Sequence, residues 1–184
     1  MRIFYKILYA VVLFFSVTLP VFAQEHAARY ISLAPSTTEI LFSLGLDSEI
    51  VGVSSYCNYP PQALTKPKMG EFSHPNIERI LSFKADYIFC TGLEQSATIA
   101  ELKRLGQNVY VADPSTIDEL VNSILEIGKI THKEYESQIV AKQMLDRIER
   151  IKEKVMLVPP GNRQKVFIEI WHDPLILSIL SRVS

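Results

Sequence analysis

The sequence predicts an α/β fold built around a parallel sheet. Short apolar runs alternate with helical patterns along the chain, which is typical of consecutive βα units. One of these runs, Tyr87–Cys90, has no polar alternation, as expected for a strand that helices cover on both faces. A stretch of more than twenty residues without Gly or Pro, Lys133 to about Met156, then predicts one long helix.

Four strands are expected before this long helix. Because the carboxyl ends of parallel strands meet at one edge of a sheet, the loops beginning at residues 34, 54, 91 and 113 should lie together. In open α/β sheets this edge holds the ligand. The predicted strands are Arg29–Leu33, Ile50–Val53, Tyr87–Cys90 and Val109–Ala112.

Polar pairs predict the starts of two helices. Ser36 with Glu39 matches the capping box, in which the two side chains satisfy each other's backbone N–H groups, and Ser115 with Asp118 is predicted to start another helix. The second of these helices is expected to run to Gly128. Glycine at such a position commonly ends a helix.

The remaining helices of this part have simpler signals. Asn76 is a suitable cap for a short helix that runs through Phe83. Gln95–Leu105 is predicted to be helical, and Gly106 should end it, as Gly45 should end the first helix.

The end of the chain differs from the part before it. Pro159-Pro160-Gly161 should end the long helix, and Lys165–Ile170 is predicted to be a strand that opens a second unit. The final apolar stretch, Leu175–Val183, has no evident partner in the chain.

The first 23 residues have the pattern of a secretory signal peptide. Two basic residues, Arg2 and Lys6, flank the start of an apolar run, Ile7–Val17, and cleavage is predicted between Ala23 and Gln24. The run is shorter than the roughly 20 residues that span a bilayer. We therefore expect an exported, periplasmic protein.

Charge and cysteine content exclude several classes of function. The formal net charge is −1 with no basic stripe, so no nucleic-acid partner is expected. The two cysteines, Cys57 and Cys90, do not have the spacing of a zinc site. Two buried free thiols are expected rather than a disulfide, although export permits one.

No catalytic constellation or cofactor motif stands out. There is no glycine-rich phosphate loop, no Gly-x-Ser-x-Gly elbow and no His-Glu-x-x-His motif. His74 and His172 with a carboxylate could hold a transition metal, but ordinary loop and turn histidines are the simpler interpretation. We therefore expect a protein that is not an enzyme and that has neither cofactor nor bound metal.

Several blocks of the chain resemble one family. The segment 29–46, RYISLAPSTTEILFSLGL, is similar to the opening of the cobalamin- and iron-siderophore-type periplasmic binding proteins of ABC importers. The segment 51–61, VGVSSYCNYPP, resembles the cobalamin-binding branch, as do NIERI at 76–80 and KADYI at 84–88. The blocks occur in the right order between Arg29 and Pro174.

The resemblance implies two α/β lobes joined by a long helix, with the ligand in the cleft between them. The chain would then divide into a signal peptide (1–23), an amino-terminal lobe (24–132), a connector helix (133–158) and the start of an incomplete second lobe (159–184). A truncated or frame-shifted product is the expectation for this end of the chain.

The resemblance also implies a set of ligand-binding residues. Tyr56 matches a loop tyrosine that contacts the corrin ring in the family, and Phe72 and Thr91 stand where cobalamin binders have tryptophans. Glu78 matches an acidic residue that docks on permease arginines. The full set of expected ligand contacts is Pro35, Ser36, Thr37, Tyr56, Phe72, Ser73, Thr91 and Trp171.

The expected function is therefore solute binding for an ABC importer in the inner membrane. The ligand would be cobalamin, another corrinoid, haem or a ferric siderophore, and the protein would act as a monomer. The alternatives are a metal-ion binder of the same architecture and, from a different class, an exported α/β enzyme.

Overall fold

The computed structural model describes residues 27–162, 167–172 and 175–179. The predicted signal peptide and its cleavage site lie outside these residues, so both stay predictions. In the described part of the chain, no helix combines the length and apolar character needed to cross a membrane.

A four-stranded parallel sheet forms the centre of the lobe. Its strand order is β2-β1-β3-β4, so the chain first moves outward from β1 to β2 and then crosses back to β3 and β4. All four predicted strands are present with shifts of at most one residue at an end. They are β1 (Tyr30–Ser32), β2 (Ile50–Val53), β3 (Tyr87–Cys90) and β4 (Val109–Val111).

Helices cover both faces of this sheet. One buried cluster joins the sheet to α1, α4 and α5, and a second joins it to α2 and α3. The parallel-sheet α/β class predicted from the alternating pattern is thus confirmed. The helices are α1 (Pro35–Ser43), α2 (Ile77–Ser82), α3 (Ser96–Arg104), α4 (Ile117–Ile130) and α5 (Glu134–Met156).

The apolar runs of the strands supply both clusters. Tyr30 and Phe89 face α1, α4 and α5, whereas Ile31 and Ile88 face α2 and α3. Successive side chains of a strand point to opposite faces, so a strand with helices on both sides needs apolar residues at every position. The lack of polar alternation in Tyr87–Cys90 has this cause.

The capping box predicted at Ser36 and Glu39 is wrong. Helix α1 begins at Pro35, its cap is Ala34, and no side chain bonds the free N–H groups of the first turn. Proline is favoured at the first helical position because its φ is already helical and it has no N–H to satisfy. Ser36 therefore lies inside the helix, where it cannot act as the cap.

The helix start predicted at Ser115 with Asp118 is displaced by one residue, and the structure has a capping box there. Thr116 caps α4: the Glu119 amide donates to Thr116 Oγ1 at 3.2 Å, and the Thr116 amide donates to the Glu119 carboxylate at 3.3 Å. Two overlapping patterns occur in the sequence, Ser115 with Asp118 and Thr116 with Glu119. The longer glutamate side chain reaches back to the cap, which favours the second.

Gly128 does not end α4, contrary to the prediction. The helix continues to Ile130, and a Cβ at Gly128 would overlap the side chain of Ser137 on α5. The glycine therefore allows two helices to approach closely. In contrast, Gly45 and Gly106 have positive φ values of 77° and 73° after α1 and α3, and they end these helices as predicted.

Helix α5 has 23 residues and confirms the predicted long helix. Its first half packs on the lobe through Ser137, Val140, Ala141 and Met144. Beyond Met144 the apolar side chains are largely exposed. They include Leu145, Ile151, Val155, Met156, Leu157 and Val158.

The predicted strand Lys165–Ile170 is found with later bounds, as β5 (Phe167–His172). The apolar stretch after it does have a partner, contrary to expectation: β6 (Leu175–Ile179) pairs antiparallel with β5. This antiparallel pairing allows the backbone groups of the two strands to satisfy each other. These strands form a two-stranded sheet separate from the parallel sheet.

Candidate functional site

The chain leaves the two neighbouring strands β1 and β3 toward opposite edges of the sheet. After β1 the chain passes through α1 to β2, and after β3 it passes through α3 to β4 on the other side. The connections therefore diverge above the carboxyl ends of these two neighbouring strands. A crevice at such a switch point is the usual ligand site of an open α/β sheet.

A tight turn, residues 71–74, lies at this edge and is called here the Phe72 loop. Gly70 and Pro75 form an isolated antiparallel bridge at its base, and the Asn76 amide donates to the Met69 carbonyl at 2.8 Å. Gly70 has φ of 105°, and a Cβ there would come within 2.8 Å of the Asn76 nitrogen. Only glycine fits, because the conformation is left-handed and the space is filled by backbone.

Gln95 joins the Phe72 loop to both central strands. Its amide nitrogen donates to the carbonyls of Leu33 (2.9 Å) and Phe72 (2.8 Å), and its amide oxygen accepts from the Thr91 N–H (3.0 Å). The side chain is fully buried. Sequence reasoning missed this residue, because a glutamine at the start of a helix has the same local pattern as a solvated one.

A second buried polar group underlies the loop after β2. Thr38 Oγ1 lies 2.7 Å from Ser32 Oγ and 3.1 Å from Cys57 Sγ, and Cys57 Sγ lies 3.2 Å from Ser54 Oγ. Thr37 Oγ1 lies 2.7 Å from the same Ser32 hydroxyl. All five side chains are fully buried. This group, called here the hydroxyl–thiol network, ties the end of β1 to the first turn of α1 and to residues 54–57.

Tyr56 precedes Cys57 of the hydroxyl–thiol network in the chain, but its side chain is exposed. Its neighbour Cys57 is fully buried, whereas Tyr56 is 59% exposed. The next residues do not cover it, since Tyr59 is also exposed. An exposed aromatic ring on a backbone fixed by buried polar contacts is a suitable surface for a flat, partly apolar ligand.

The residues predicted after β1 have different environments. Pro35 is half-buried and Ser36 is exposed at the edge of the sheet. Thr37 is fully buried, and its hydroxyl donates to the Ala34 carbonyl or bonds Ser32. Of these three side chains, Pro35 and Ser36 are the ones that a ligand at the edge can reach.

Thr91 is partly buried beside an acidic group. Its hydroxyl lies 3.5 Å from Asp113 Oδ1, and a Cβ at Gly92 would overlap the Asp113 carboxylate. Gly92 therefore makes room for the loop after β4 to approach the loop after β3. Phe72 is half-buried and Ser73 is exposed. Together with Tyr56 and Thr91, they make four predicted positions that lie on loops of the same edge.

The charged groups of this edge are mainly acidic. Glu71, Glu94 and Asp113, which follow β2, β3 and β4, are exposed. The two lysines of the loop after β2 are engaged: Lys66 pairs with a carboxylate at 2.7 Å, and Lys68 donates to two loop carbonyls at 3.0 and 3.1 Å. The edge therefore presents negative charge to an approaching ligand.

The other predicted site residues are Glu78, Trp171 and His172. Glu78 is exposed in the first turn of α2, at the same edge of the sheet. Trp171 and His172 belong to β5, and their side chains lie outside the described residues. The two-histidine metal site therefore remains untested. Within the described residues, no group of three or more His, Cys, Asp or Glu side chains is arranged to hold a metal ion.

Both cysteines are buried and free. Burial raises the pKa of the Cys90 thiol to about 12, because the uncharged form is favoured away from water. Cys90 therefore has no nucleophilic character near neutral pH.

One concavity lies away from the predicted residues. It has a volume of about 450 Å³ between the first turn of α4 and the distal half of α5, where Ile117, Leu145 and Ile148 line it. A smaller one of about 250 Å³ lies beside Tyr110 and Asp113.

Comparison with known proteins identifies the family. A sequence profile described as "Periplasmic binding protein" matches residues 31–170. The chain belongs to the periplasmic binding protein family. This confirms the family resemblance seen in the sequence, and it confirms the prediction of a binding protein rather than an enzyme, because members of the family bind solutes.

Individual relatives and solved structures agree with this assignment. A vitamin B12-binding protein of Yersinia pestis is 29% identical over 170 residues, 92% of this chain and 59% of the relative. A periplasmic vitamin B12-binding protein of Vibrio cholerae has a TM-score of 0.70 and 30% identity, covering 81% of this chain and 58% of the other. A possible iron-binding, periplasmic solute-binding protein of Staphylococcus epidermidis has a TM-score of 0.68 and 28% identity, covering 82% and 59%.

The chain thus spans somewhat less than 60% of the length of each of these proteins. The matched part contains the parallel-sheet lobe, with its carboxyl edge, and the long helix.

Proposed function

We propose that this chain contributes the amino-terminal wall of a ligand cleft, and that the ligand is a corrinoid or a related iron chelate taken up by an ABC importer. The observation that carries the proposal is the exposed ring of Tyr56, which stands on a backbone fixed by the hydroxyl–thiol network at the carboxyl edge of the sheet. Large, flat ligands are held by such aromatic faces together with a few polar groups.

The polar groups of this edge favour a corrinoid among the candidates. Corrinoids carry several uncharged amide groups, whereas haem carries two carboxylates. Asp113 and the Thr91 hydroxyl can accept or exchange hydrogen bonds with amides, and the exposed carboxylates of the edge repel anionic groups. The relatives that bind vitamin B12 support the same choice.

The decisive experiment is a titration panel on the purified chain. Cyanocobalamin, cobinamide, haemin and ferrichrome are each titrated, with binding followed by visible absorbance and confirmed by equilibrium dialysis. We expect a corrinoid to bind more tightly than haemin. Tighter binding of haemin or ferrichrome would change the ligand class, and absence of binding by all four would contradict the proposal for this chain.

We further propose that Glu78 contacts the permease rather than the ligand. It is exposed in the first turn of α2, where a carboxylate also stabilises the helix by a few tenths of a kcal/mol. Glu78→Ala should reduce uptake in a reconstituted transporter assay and leave ligand affinity unchanged. Glu134→Ala is the matched control, since Glu134 is an exposed acid in the first turn of α5. Equal uptake by both variants would argue against docking.

A further inference from the structure

We propose that Gln95 is a positioning residue for ligand binding: its buried amide holds the Phe72 loop against the ends of β1 and β3. The inference rests on the proposed function in one respect, because it takes the carboxyl edge as the ligand site. Gln95 itself is fully buried, so it would act through the residues that it holds and not by touching the ligand.

The side-chain amide of Gln95 acts as donor in two hydrogen bonds and as acceptor in a third. Two N–H groups reach carbonyls at the end of β1 and in the Phe72 loop, 62 and 23 residues away in sequence. The oxygen takes the Thr91 N–H, four residues before. One planar group thus joins the three segments that meet at the switch point of the sheet.

The Phe72 loop depends on this amide for its position. Its base is fixed by the bridge between Gly70 and Pro75. Above the base, the bond from Gln95 to the Phe72 carbonyl is the one side-chain hydrogen bond to residues 71–74 in the described part of the chain. Without it the loop keeps its ends but loses the contact that directs Phe72 to the crevice.

The chemistry of the site requires an amide. The two carbonyls of Leu33 and Phe72 need donors, and the Thr91 N–H needs an acceptor, so one side chain must supply both. A carboxylate has the same shape but no donor, and it would face two carbonyl oxygens. A protonated carboxyl group restores one donor.

Gln95→Glu should therefore convert a constant contact into a pH-dependent one. At acidic pH the neutral carboxyl group can donate to one carbonyl, and the loop stays near its position. As pH rises, ionisation removes the donor and adds repulsion from both carbonyls, so the loop should move outward. The titratable groups on the surrounding segments are Glu71, His74, Glu94 and Asp113, and because the parent also carries all four, the parent curve is the baseline for the comparison.

The position of the loop can be measured without any ligand. In a Trp171→Phe, Phe72→Trp background the introduced indole is the sole tryptophan, and iodide quenching reports its exposure. Between about pH 5 and pH 8, where a buried carboxyl group commonly ionises, the quenching constant should rise about twofold or more with Gln95→Glu. It should follow the parent curve with Gln107→Glu, a matched control at the opposite edge of the sheet, where the amide makes only a 3.4 Å contact.

Ligand binding is measured in parallel with cyanocobalamin, on variants that retain Phe72 and Trp171. Gln95→Glu should weaken its affinity about tenfold at the alkaline end of this range, and lowering the pH should largely restore it. Gln95→Met, which is uncharged and similar in volume, should weaken binding at every pH. Far-UV circular dichroism checks folding, and Gln95→Met decides the question if the glutamate variant unfolds.

The two proposals fail in different ways. A quenching change without binding of any corrinoid or chelate would refute the proposed ligand and support the positioning role. Binding of cyanocobalamin with unchanged quenching and affinity in Gln95→Glu and Gln95→Met would overturn the positioning role. Weaker binding without a pH-dependent change in quenching would also overturn it, because loss of general stability would then explain the result.

Discussion

At the scale of single residues, adjacent positions have opposite roles. Cys57 is fully buried in the hydroxyl–thiol network, and Tyr56 beside it is exposed. The network restricts the backbone on which Tyr56 stands. Under the proposed function, little conformational entropy would therefore be lost on stacking of a ligand on this ring, and the rigidity at Cys57 would support recognition at Tyr56.

Tyr56→Ala should weaken binding of the corrinoid by about 1–3 kcal/mol, the range expected when a buried, stacked aromatic group is lost. The measurement is a direct titration with cyanocobalamin. Tyr135→Ala is the control, because Tyr135 is a comparably exposed tyrosine on α5 at 73%. Equal affinities of the two variants would mean that Tyr56 does not face the ligand.

The charge of Asp113 should determine which ligands are rejected. An interaction between two unit charges about 4 Å apart in water is about 1 kcal/mol, or roughly fivefold in affinity. Asp113→Asn should therefore strengthen haemin binding several-fold and change cobinamide binding little. Glu153→Gln removes an equally exposed charge from α5 and should affect neither. A parallel change for both ligands would show that Asp113 acts through the fold.

The roles of single residues at the carboxyl edge could be predicted only in part from the sequence. The loops of the edge could be predicted, because the loops that follow parallel strands meet at one place, and the aromatic and hydroxyl positions on them were named through the family resemblance. Gln95 and the hydroxyl–thiol network could not, since their bonds join residues that are distant in sequence and depend on the packing of the loops. Thr37 is instructive, because its hydroxyl is buried within the lobe while Ser36 is exposed beside it.

At the scale of elements, strands were more predictable than helix ends. An apolar run that must fill two faces gives a strong signal, so β2 and β3 have the predicted bounds. Helix starts depend on competition among neighbours. Pro35 determines the start of α1 despite Ser36, and the longer side chain of Glu119 determines the cap of α4.

Gly128 shows a different limit of prediction from sequence, and it can be tested. A glycine is needed at this position because Ser137 approaches closely, not because the chain turns, and no local sequence pattern reveals this. Gly128→Ala should lower the free energy of unfolding by about 1–3 kcal/mol through overpacking, despite the higher helix propensity of alanine. Ser137→Gly should recover part of this loss in the double variant. Denaturant unfolding measures all four proteins, and additive effects would contradict a direct overlap.

At the scale of the whole molecule, the two halves of the long helix α5 lie in different environments. Its first half completes the core of the lobe through Ala141, Val140 and Met144, whereas its second half is rich in charged residues and its apolar side chains are largely exposed. The sequence predicted a lobe that ends at residue 132, followed by a separate connector. Helical periodicity predicts a long helix but does not show which of its turns pack against the preceding lobe.

We therefore expect the folding unit to extend through the first half of α5. A chain that ends after His132 loses the side chains that cover α4, and the loss of several kcal/mol is large against a typical stability of about 5–15 kcal/mol. A chain that ends after Asn162 keeps both core clusters of the described residues and lacks only the strands β5 and β6, which pair with each other.

Denaturant unfolding of the two shortened chains and the complete one tests this division. The chain ending after Asn162 should unfold cooperatively with a midpoint close to that of the complete chain, because the parallel sheet and its two helical layers are intact. The chain ending after His132 should show a much lower midpoint or no cooperative transition. If the shorter chain is as stable as the longer one, α5 is a connector that contributes nothing to the lobe. If removal of β5 and β6 abolishes cooperative unfolding, these strands are part of the same folding unit.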